Sequence, residues 1–258
     1  MTDAAQARMR KVKSILVTQE APTDPNSPYI KLADSYNVKL DFRPFIVVEP
    51  VDVREFRKQK VDILQHTAVI FTSRNAVDHF FHLCKELKIE MPPDMKYFCV
   101  SEQTSNYLQK YIVIRKRKIF TGKKSITDLF DLFKKHKSEK YLFACSDLRK
   151  NDIPDFLRKN GYAFSEAVIH RTVPADLSDL KEVFYDVLAF FSPSGINSLF
   201  VNFPEFKQNN TRIATFGPAT AQAGRDAGLI IDIEAPLPEA PSMTMAIEQY
   251  VRKANGIK

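Results

Sequence analysis

The sequence repeats itself, and this repetition limits the possible folds more than any other feature. Three pieces of chain recur in the same order at offsets of about 120, 116 and 117 residues. The first pairs AVIFTSRNAVDHFF with LAFFSPSGINSLF, in each case an apolar run, a Ser-containing turn and an amphipathic stretch. The second places Thr104 against Thr220, and the third places Thr127 against Thr244. Two related lobes are the simplest explanation.

Short apolar runs alternate with longer stretches of helical period along the chain. This alternation is typical of βα units that build a parallel sheet flanked by helices, the α/β class. Most runs end in Ser, Thr or a polar turn before a helix begins. Ligands bind at the carboxyl ends of parallel strands, where helix N-termini also point, so these residues are candidates for a site. The predicted strands are 14–18, 68–72, 97–101, 140–145, 187–192 and 212–216.

Two further strand-like pieces, 42–48 and 164–173, lie outside the repeats. Each lies where one lobe would pass the chain to the other. They fit edge strands of the two sheets, and they fit equally well a pair of linkers between the lobes. The residues by themselves leave both interpretations open.

Composition favours a packed protein without a membrane segment. A hydrophobic fraction of 44% is enough for one large core or two modest ones. No apolar run approaches the roughly 20 residues of a spanning helix, and the N-terminus has no apolar leader, so we expect a cytoplasmic protein. Cys84, Cys99 and Cys145 are odd in number and widely spaced, which fits buried thiols in a reducing compartment.

The net charge of +7 favours an anionic partner, which could be a nucleic acid, an acidic membrane surface or a polycarboxylate. The densest basic cluster, 115–118, lies in a loop that runs into a strand. It is not accompanied by a helix-turn-helix pattern or an aromatic RNA-binding signature. We therefore expect no nucleic-acid partner.

The motifs of common cofactor enzymes are missing from the sequence. It contains no P-loop, GxGxxG, HExxH or GxSxG pattern. His79 and His82 share a helix face near Asp78, but no partner elsewhere has the spacing of metal ligands. The sequence predicts neither a cofactor nor a metal.

Hydroxyl side chains at the strand ends are the remaining candidates for binding. Such residues usually cap helices, which is the alternative to a role in binding. A cap that faces a ligand can also bind a carboxylate, and Gly217 before Pro218 allows close approach of backbone amides. Two lobes of this kind would suit a ligand with many carboxylates. The hydroxyl residues are Thr72, Ser73, Ser101, Thr104, Ser192, Ser194 and Thr220.

Four pieces of the chain, in order, resemble the uroporphyrinogen-III synthase family. They are FTSRNAV, FFSPSGI, FGPATAQA and EAPLPEAPSMTMAI, and the pair FFSPSG and GPATA is the most specific. The resemblance implies two similar α/β lobes, each a parallel sheet flanked by helices, joined by a two-stranded antiparallel β ladder. The first βα unit would complete the lobe built from the C-terminal half. The implied boundaries are 1–41 with 174–258 for lobe 1, 51–163 for lobe 2, and 42–50 and 164–173 for the linker strands.

The same resemblance implies a reaction. The substrate would be hydroxymethylbilane, a linear tetrapyrrole with eight carboxylates, and the product the macrocycle of heme biosynthesis with its last ring, ring D, inverted through a spiro intermediate. The enzyme would work as a monomer without a cofactor. Its main task would be to fold the chain so that the spiro route outruns spontaneous closure.

Several residues take their roles from this resemblance. Thr104 and Thr220 match hydroxyls that line the family's cleft, and both are candidates for catalysis. Arg149 and Lys150 fall where the family often has basic residues, and they would bind propionates. His170 aligns with a Tyr proposed to help the hydroxyl leave, and a histidine can replace it as a general acid.

Two departures from the family pattern support a second interpretation. One is His170 itself, and the other is Ser101-Glu102-Gln103, where the family has a Gly-rich turn. A non-catalytic protein that binds or senses a tetrapyrrole or another polycarboxylate would tolerate both changes.

Overall fold

The computed structural model describes residues 8–113, 115–123 and 125–257, without the side chain of Lys116. The chain forms two compact units. Unit 1 comprises Met1–Val47 and Val173–Lys258, and unit 2 comprises Val48–Thr172. Of the predicted lobes, residues 1–7 and 258 of the first and residues 114 and 124 of the second lie outside the described residues.

Strands and helices alternate through both units. The strands are β1 (Ser14–Val17), β2 (Lys39–Phe42), β3 (Ile46–Pro50), β4 (Ala68–Phe71), β5 (Lys96–Cys99), β6 (Ile119–Thr121), β7 (Tyr141–Ser146), β8 (Phe164–Pro174), β9 (Val187–Phe190), β10 (Arg212–Phe216) and β11 (Ile231–Ala235). The helices are α1 (Pro28–Tyr36), α2 (Val53–Lys58), α3 (Arg74–Glu86), α4 (Glu102–Tyr107), α5 (Ile126–Lys135), α6 (Asp152–Lys159), α7 (Pro193–Asn202), α8 (Pro218–Asp226) and α9 (Met243–Asn255). Short 3₁₀ turns lie at Ile63–Gln65, Leu108–Lys110, Lys116–Lys118 and Ser178–Leu180.

Unit 1 is built on a parallel sheet of five strands in the order β11-β10-β9-β1-β2. Successive side chains of β1 point to opposite faces, as in any strand. Ile15 packs in a core with residues of α1 and α9, whereas Leu16 packs in a second core with residues of α7. Because β1 is covered on both faces, its residues Ile15 to Val17 are all buried and apolar.

Unit 2 is built on a sheet of six strands in the order β3-β8-β7-β4-β5-β6. Five neighbouring strands of this sheet, β8, β7, β4, β5 and β6, are parallel. Val69 of β4 packs with residues of α2 and α3, and Ile70 packs with residues of α5 and α6. Helices therefore cover both faces of this sheet as well.

The two sheets have the same internal order. The consecutive strands β4, β5 and β6 lie side by side, as do β9, β10 and β11. On the other side of β9 two further strands extend the sheet of unit 1, and on the other side of β4 three further strands extend that of unit 2. In unit 1 those further strands are β1 and β2, from the N-terminal end of the chain. The repeated sequence thus builds the repeated half of each sheet, and the predicted α/β class with two parallel sheets is confirmed.

The chain passes from one unit to the other within β3 and again within β8. These two strands are neighbours in the sheet. The amide of Val51 donates to the carbonyl of Ile169 (3.0 Å), and the amide of Ala175 donates to that of Phe45 (2.9 Å). Because the residue number in one strand rises as that of its partner falls, β3 and β8 run antiparallel.

The run 42–48, which the sequence presents as one strand, is divided in the structure. Phe42 ends β2 in the sheet of unit 1, and β3 begins only at Ile46. Pro44 lies between them, and a proline has no amide hydrogen for a sheet ladder.

Candidate functional site

The carboxyl edge of the sheet in unit 2 carries seven of the predicted site residues. The strand order reverses between β4 and β7, and in open α/β sheets a ligand crevice forms where this reversal occurs. Thr72 and Ser73 follow β4, and Arg149 and Lys150 lie in the loop after β7. Ser101 and Thr104 follow β5, and His170 lies opposite Ser146 at the end of β7.

The serines at these strand ends cap helices. Ser73 Oγ accepts a hydrogen bond from the amide of Ala76 (3.1 Å), and Ser192 Oγ accepts one from the amide of Gly195 (3.2 Å). Ser101 Oγ lies 3.4 Å from the amide of Thr104 and 3.2 Å from its hydroxyl. A capping oxygen still carries a hydrogen that it can donate, so a cap can also bind a carboxylate.

The two basic residues after β7 differ in their surroundings. The guanidinium of Arg149 is partly buried and forms an ion pair with Glu166 of β8, which offsets its charge. Lys150 is exposed and has no ion-pair partner within the part of the chain that the structure describes. Of the two, Lys150 has the positive charge that is free to meet an anion.

Unit 1 has a corresponding edge after β9, β10 and β1. Ser192 and Ser194 follow β9, where the strand order of this sheet reverses toward β1. Thr18, at the end of β1, donates its hydroxyl hydrogen to the carbonyl of Ala189 (2.9 Å). Sequence reasoning missed Thr18 as a neighbour of this edge, because nothing in the local sequence predicts that β1 pairs with β9.

Helix α8 begins differently from the helices capped by serines. Gly217, just before it, has φ of 89°, in the region that favours glycine, and its amide donates to the carbonyl of Ala235. No side chain of a described residue caps this helix, and Pro218 occupies its first turn. Thr220 is buried, and its hydroxyl has no hydrogen-bond partner among the described residues.

His170 lies within β8, opposite the end of β7, and is buried, with 8% of its surface exposed. Its Nδ1 atom is buried without a hydrogen-bond partner in the described part of the chain. Its ring stacks on that of His79, with centroids 5.1 Å apart and an interplanar angle of 22°. Burial, with a smaller effect of His79, lowers the pKa of His170 to about 4, although Asp147 acts in the opposite direction. At neutral pH the ring is uncharged and can donate one N–H hydrogen bond.

The unfolding free energy should fall as the pH is lowered from about 6.5 to 4, because the unfolded chain binds a proton that folded His170 excludes. The pKa of His170 is lowered in the folded protein. Its contribution to the free energy of unfolding is therefore complete above pH 6.5 and is lost toward pH 4. At about 1.4 kcal/mol per pKa unit, the loss is on the order of 3 kcal/mol. Urea unfolding at pH 7.0 and at pH 4.5 measures this loss of unfolding free energy. A His170→Phe variant should lose less free energy than the wild type between the same two pH values. Equal losses in the two proteins would contradict the assignment.

The three cysteines are buried and free, as the sequence predicts. Burial raises the pKa of each thiol to about 12, so they remain protonated and unreactive at neutral pH. Among the described residues, no three His, Cys, Asp or Glu side chains are grouped as metal ligands would be. Nor does this part of the chain contain a helix long and apolar enough to cross a membrane.

The structure therefore brings the predicted residues together in two sets. Unit 2 holds Thr72, Ser73, Ser101, Thr104, Arg149, Lys150 and His170, and unit 1 holds Ser192, Ser194, Gly217 and Thr220. Sequence reasoning considered His79 only as a metal ligand and missed its contact with His170. One signal in the sequence could have found this contact. His79 follows the Ser73 cap by less than two helical turns, which places it near the carboxyl edge of the sheet.

Comparison with known proteins gives consistent matches. Residues 27–245 match the family model described as "Uroporphyrinogen-III synthase HemD". A uroporphyrinogen-III synthase of Saccharomyces cerevisiae is 29% identical over 143 residues, which cover 49% of this chain and 51% of that protein. The match thus spans about half of the yeast relative's length.

Two solved structures share the fold. The uroporphyrinogen-III synthetase of Helicobacter pylori superposes with a TM-score of 0.59 at 19% identity, covering 93% of this chain and 99% of that one. A mutant uroporphyrinogen III synthase of Thermus thermophilus gives a TM-score of 0.53 at 15% identity, with the same coverage. At these identities the likeness concerns the fold.

Proposed function

The chain belongs to the uroporphyrinogen-III synthase family, and from this premise we propose that it cyclises hydroxymethylbilane with inversion of ring D. The observation that carries the proposal is the family match over residues 27–245, which includes every candidate site residue. The hydroxyl-lined carboxyl edges of the two sheets support it, because they offer many donors to a substrate with many carboxylates.

The proposed reaction requires little covalent chemistry from the protein. The terminal C–O bond of the substrate breaks, and the hydroxyl leaves with a proton as water. The substituted carbon of ring D, an electron-rich pyrrole carbon, then attacks the methylene carbon of the resulting azafulvene to form a spiro intermediate. One carbon–carbon bond of that intermediate breaks, ring D turns over, the bond forms again at the other position, and a proton is lost. The protein must hold the substrate in the conformation that leads to the spiro product.

We assign His170 to the first step. An uncharged imidazole with its N–H directed at the departing hydroxyl stabilises the charge that develops on the oxygen, as a hydrogen-bond donor in a site from which water is excluded. The lowered pKa of His170 favours this role over that of a charged acid, because little imidazolium is present at neutral pH. Thr104 and Thr220 would donate hydroxyl hydrogens to the substrate.

The remaining residues would bind and orient the carboxylates. Lys150 supplies an unpaired charge, and the net charge of +7 favours an anionic substrate over a neutral one. Thr72, Ser73, Ser101, Ser192 and Ser194 would add hydroxyl donors, and the amides after Gly217 would add backbone donors. As part of the proposal, the chain acts as a cytoplasmic monomer without a cofactor, on a small molecule rather than a nucleic acid.

The full-length protein should convert freshly made hydroxymethylbilane mainly to the type III isomer, because binding favours the spiro route over direct closure. Oxidation of the products to uroporphyrins, followed by chromatographic separation of types I and III, measures this ratio. A reaction without protein gives the spontaneous ratio, which is the reference.

Only type I product, formed at the rate of the reaction without protein, would overturn the proposal. In that case thermal stabilisation of the protein by a non-reacting linear tetrapyrrole would favour the binding or sensing protein that the sequence also allowed. The absence of both effects would exclude a tetrapyrrole ligand.

A further inference from the structure

His170 has few of the contacts that usually fix a buried histidine. Neither ring nitrogen has a hydrogen bond to another described residue, and Nδ1 is out of reach of solvent. A buried polar atom without a partner costs roughly 1–3 kcal/mol, so such atoms call for an explanation. At a functional site, the explanation is a group kept free for a ligand. The ring must then be held by something other than hydrogen bonds.

The ring of His79 is the contact that can hold it. The two imidazoles are 5.1 Å apart between centroids and within 22° of parallel. A flat surface against one face of His170 restricts rotation about the bond between Cβ and the ring, because a turned ring would collide with it. The same surface keeps water from that face.

His79 is itself firmly placed on α3. The preceding residue, Asp78, accepts hydrogen bonds from the hydroxyls of Tyr107 (2.8 Å) and Tyr111 and from the ammonium of Lys110 (2.9 Å). The following residue, Phe80, is completely buried in the core of unit 2. The turn of helix that carries His79 therefore has a fixed position relative to the sheet.

We propose that His79 is a positioning residue for His170: its ring is the flat surface that holds the His170 imidazole in one orientation, with Nε2 free for substrate. This inference rests on the proposed function. The titratable groups that act on His170 are His79 from α3 and Asp147 from the loop after β7. Arg171, the next residue of β8, is engaged in an ion pair with Glu55 of α2.

Two substitutions test whether the flat ring of His79 or its nitrogen atoms matter for the reaction. In the full-length protein, His79→Phe keeps a flat ring and should leave kcat for the type III isomer within about threefold of the wild type. His79→Ala removes the surface and should lower kcat about tenfold or more with KM little changed, because the substrate still binds but His170 is no longer aligned. If the alanine variant does not fold, His79→Leu replaces it, with the same expected loss. His82→Phe is the matched control, since His82 is exposed on the same helix.

Titration of ¹⁵N-labelled histidines by NMR gives a readout that does not depend on activity. In the wild type and in His79→Phe, the His170 signals should titrate well below the ordinary value of about 6.5, and in His79→Ala they should move toward it as water enters. Unchanged kcat and titration in the alanine variant would overturn the proposal, as would a phenylalanine variant as impaired as the alanine one. A wild type without type III product would refute the proposed function, while the titration would still test the contact.

Discussion

Asp186→Ala should lower the free energy of unfolding by about 3–5 kcal/mol, because it leaves the buried guanidinium of Arg212 without its counter-ion. Arg212 has a side chain only 2% exposed, and its Nη2 atom lies 3.4 Å from Asp186 Oδ1. The other oxygen of Asp186 accepts hydrogen bonds from the amides of Lys13 (2.8 Å) and Ser14 (3.0 Å). One carboxylate thus ties the start of β1 to β9 and β10. Urea unfolding followed by circular dichroism measures the loss.

The matched control is Asp179→Ala in the same unit. Asp179 also pairs with an arginine, Arg43, at 3.0 Å, but both side chains are well exposed, at 55% and 39%. Water screens such a pair, so the control should lose less than about 1 kcal/mol. If the two variants lose the same amount, the Asp186 pair has no special role in stability.

The interior strands of both sheets could be predicted from sequence, and three of the four edge strands could not. β4, β5, β7, β9 and β10 are buried on both faces, so they appear as mainly apolar runs that stand out from the helices. The strands that escaped prediction are β2, β6 and β11, which lie at the ends of the two sheets. Edge strands are short, mixed in polarity and partly exposed, so neither period nor hydrophobicity separates them from loops.

The order of strands in unit 1 was also beyond local sequence signals. β1 and β9 pair although about 170 residues separate them, and only the family resemblance implied that the N-terminal βα unit completes this sheet. Once the sheet is known, Ser192 and Thr18 become neighbours across the reversal in strand order. The fold therefore supplies a part of the candidate site that residue types cannot.

The charge state and the ion pairs of single residues at the site are harder to predict from sequence than the order of the strands. Arg149 and Lys150 are adjacent and both basic, yet one is paired with Glu166 and the other is free, because Glu166 reaches the loop from a different strand. His170 is a histidine on a predicted strand, and its residue type suggested a charged acid. Burial, with a smaller effect of the neighbouring His79, lowers its pKa and makes it neutral.

His170→Phe should lower kcat for the type III isomer by about 100-fold, because removing one preorganised donor to a developing oxygen charge typically costs that much. His170→Tyr differs from it by a single hydroxyl, which restores a donor at the same place, and should recover activity to within about tenfold of the wild type. Initial rates of type III formation, corrected for the reaction without protein, measure both. Activity in the tyrosine variant as low as in the phenylalanine variant would show that donation from this position is not what the reaction needs.

The free energy of unfolding of the His170→Phe variant shows whether His170 has a structural or a catalytic role. A residue whose role is structural loses stability and activity together when it is replaced. His170 has an unpaired buried nitrogen, so a phenyl ring in its place removes a polar atom that was not hydrogen-bonded and should leave the unfolding free energy at pH 7 unchanged or higher. A hundredfold loss of activity without a loss of stability therefore identifies a residue retained for the reaction. If instead the phenylalanine variant unfolds more easily in proportion to its lost activity, His170 is a core residue, and the donor must be sought among Thr104 and Thr220.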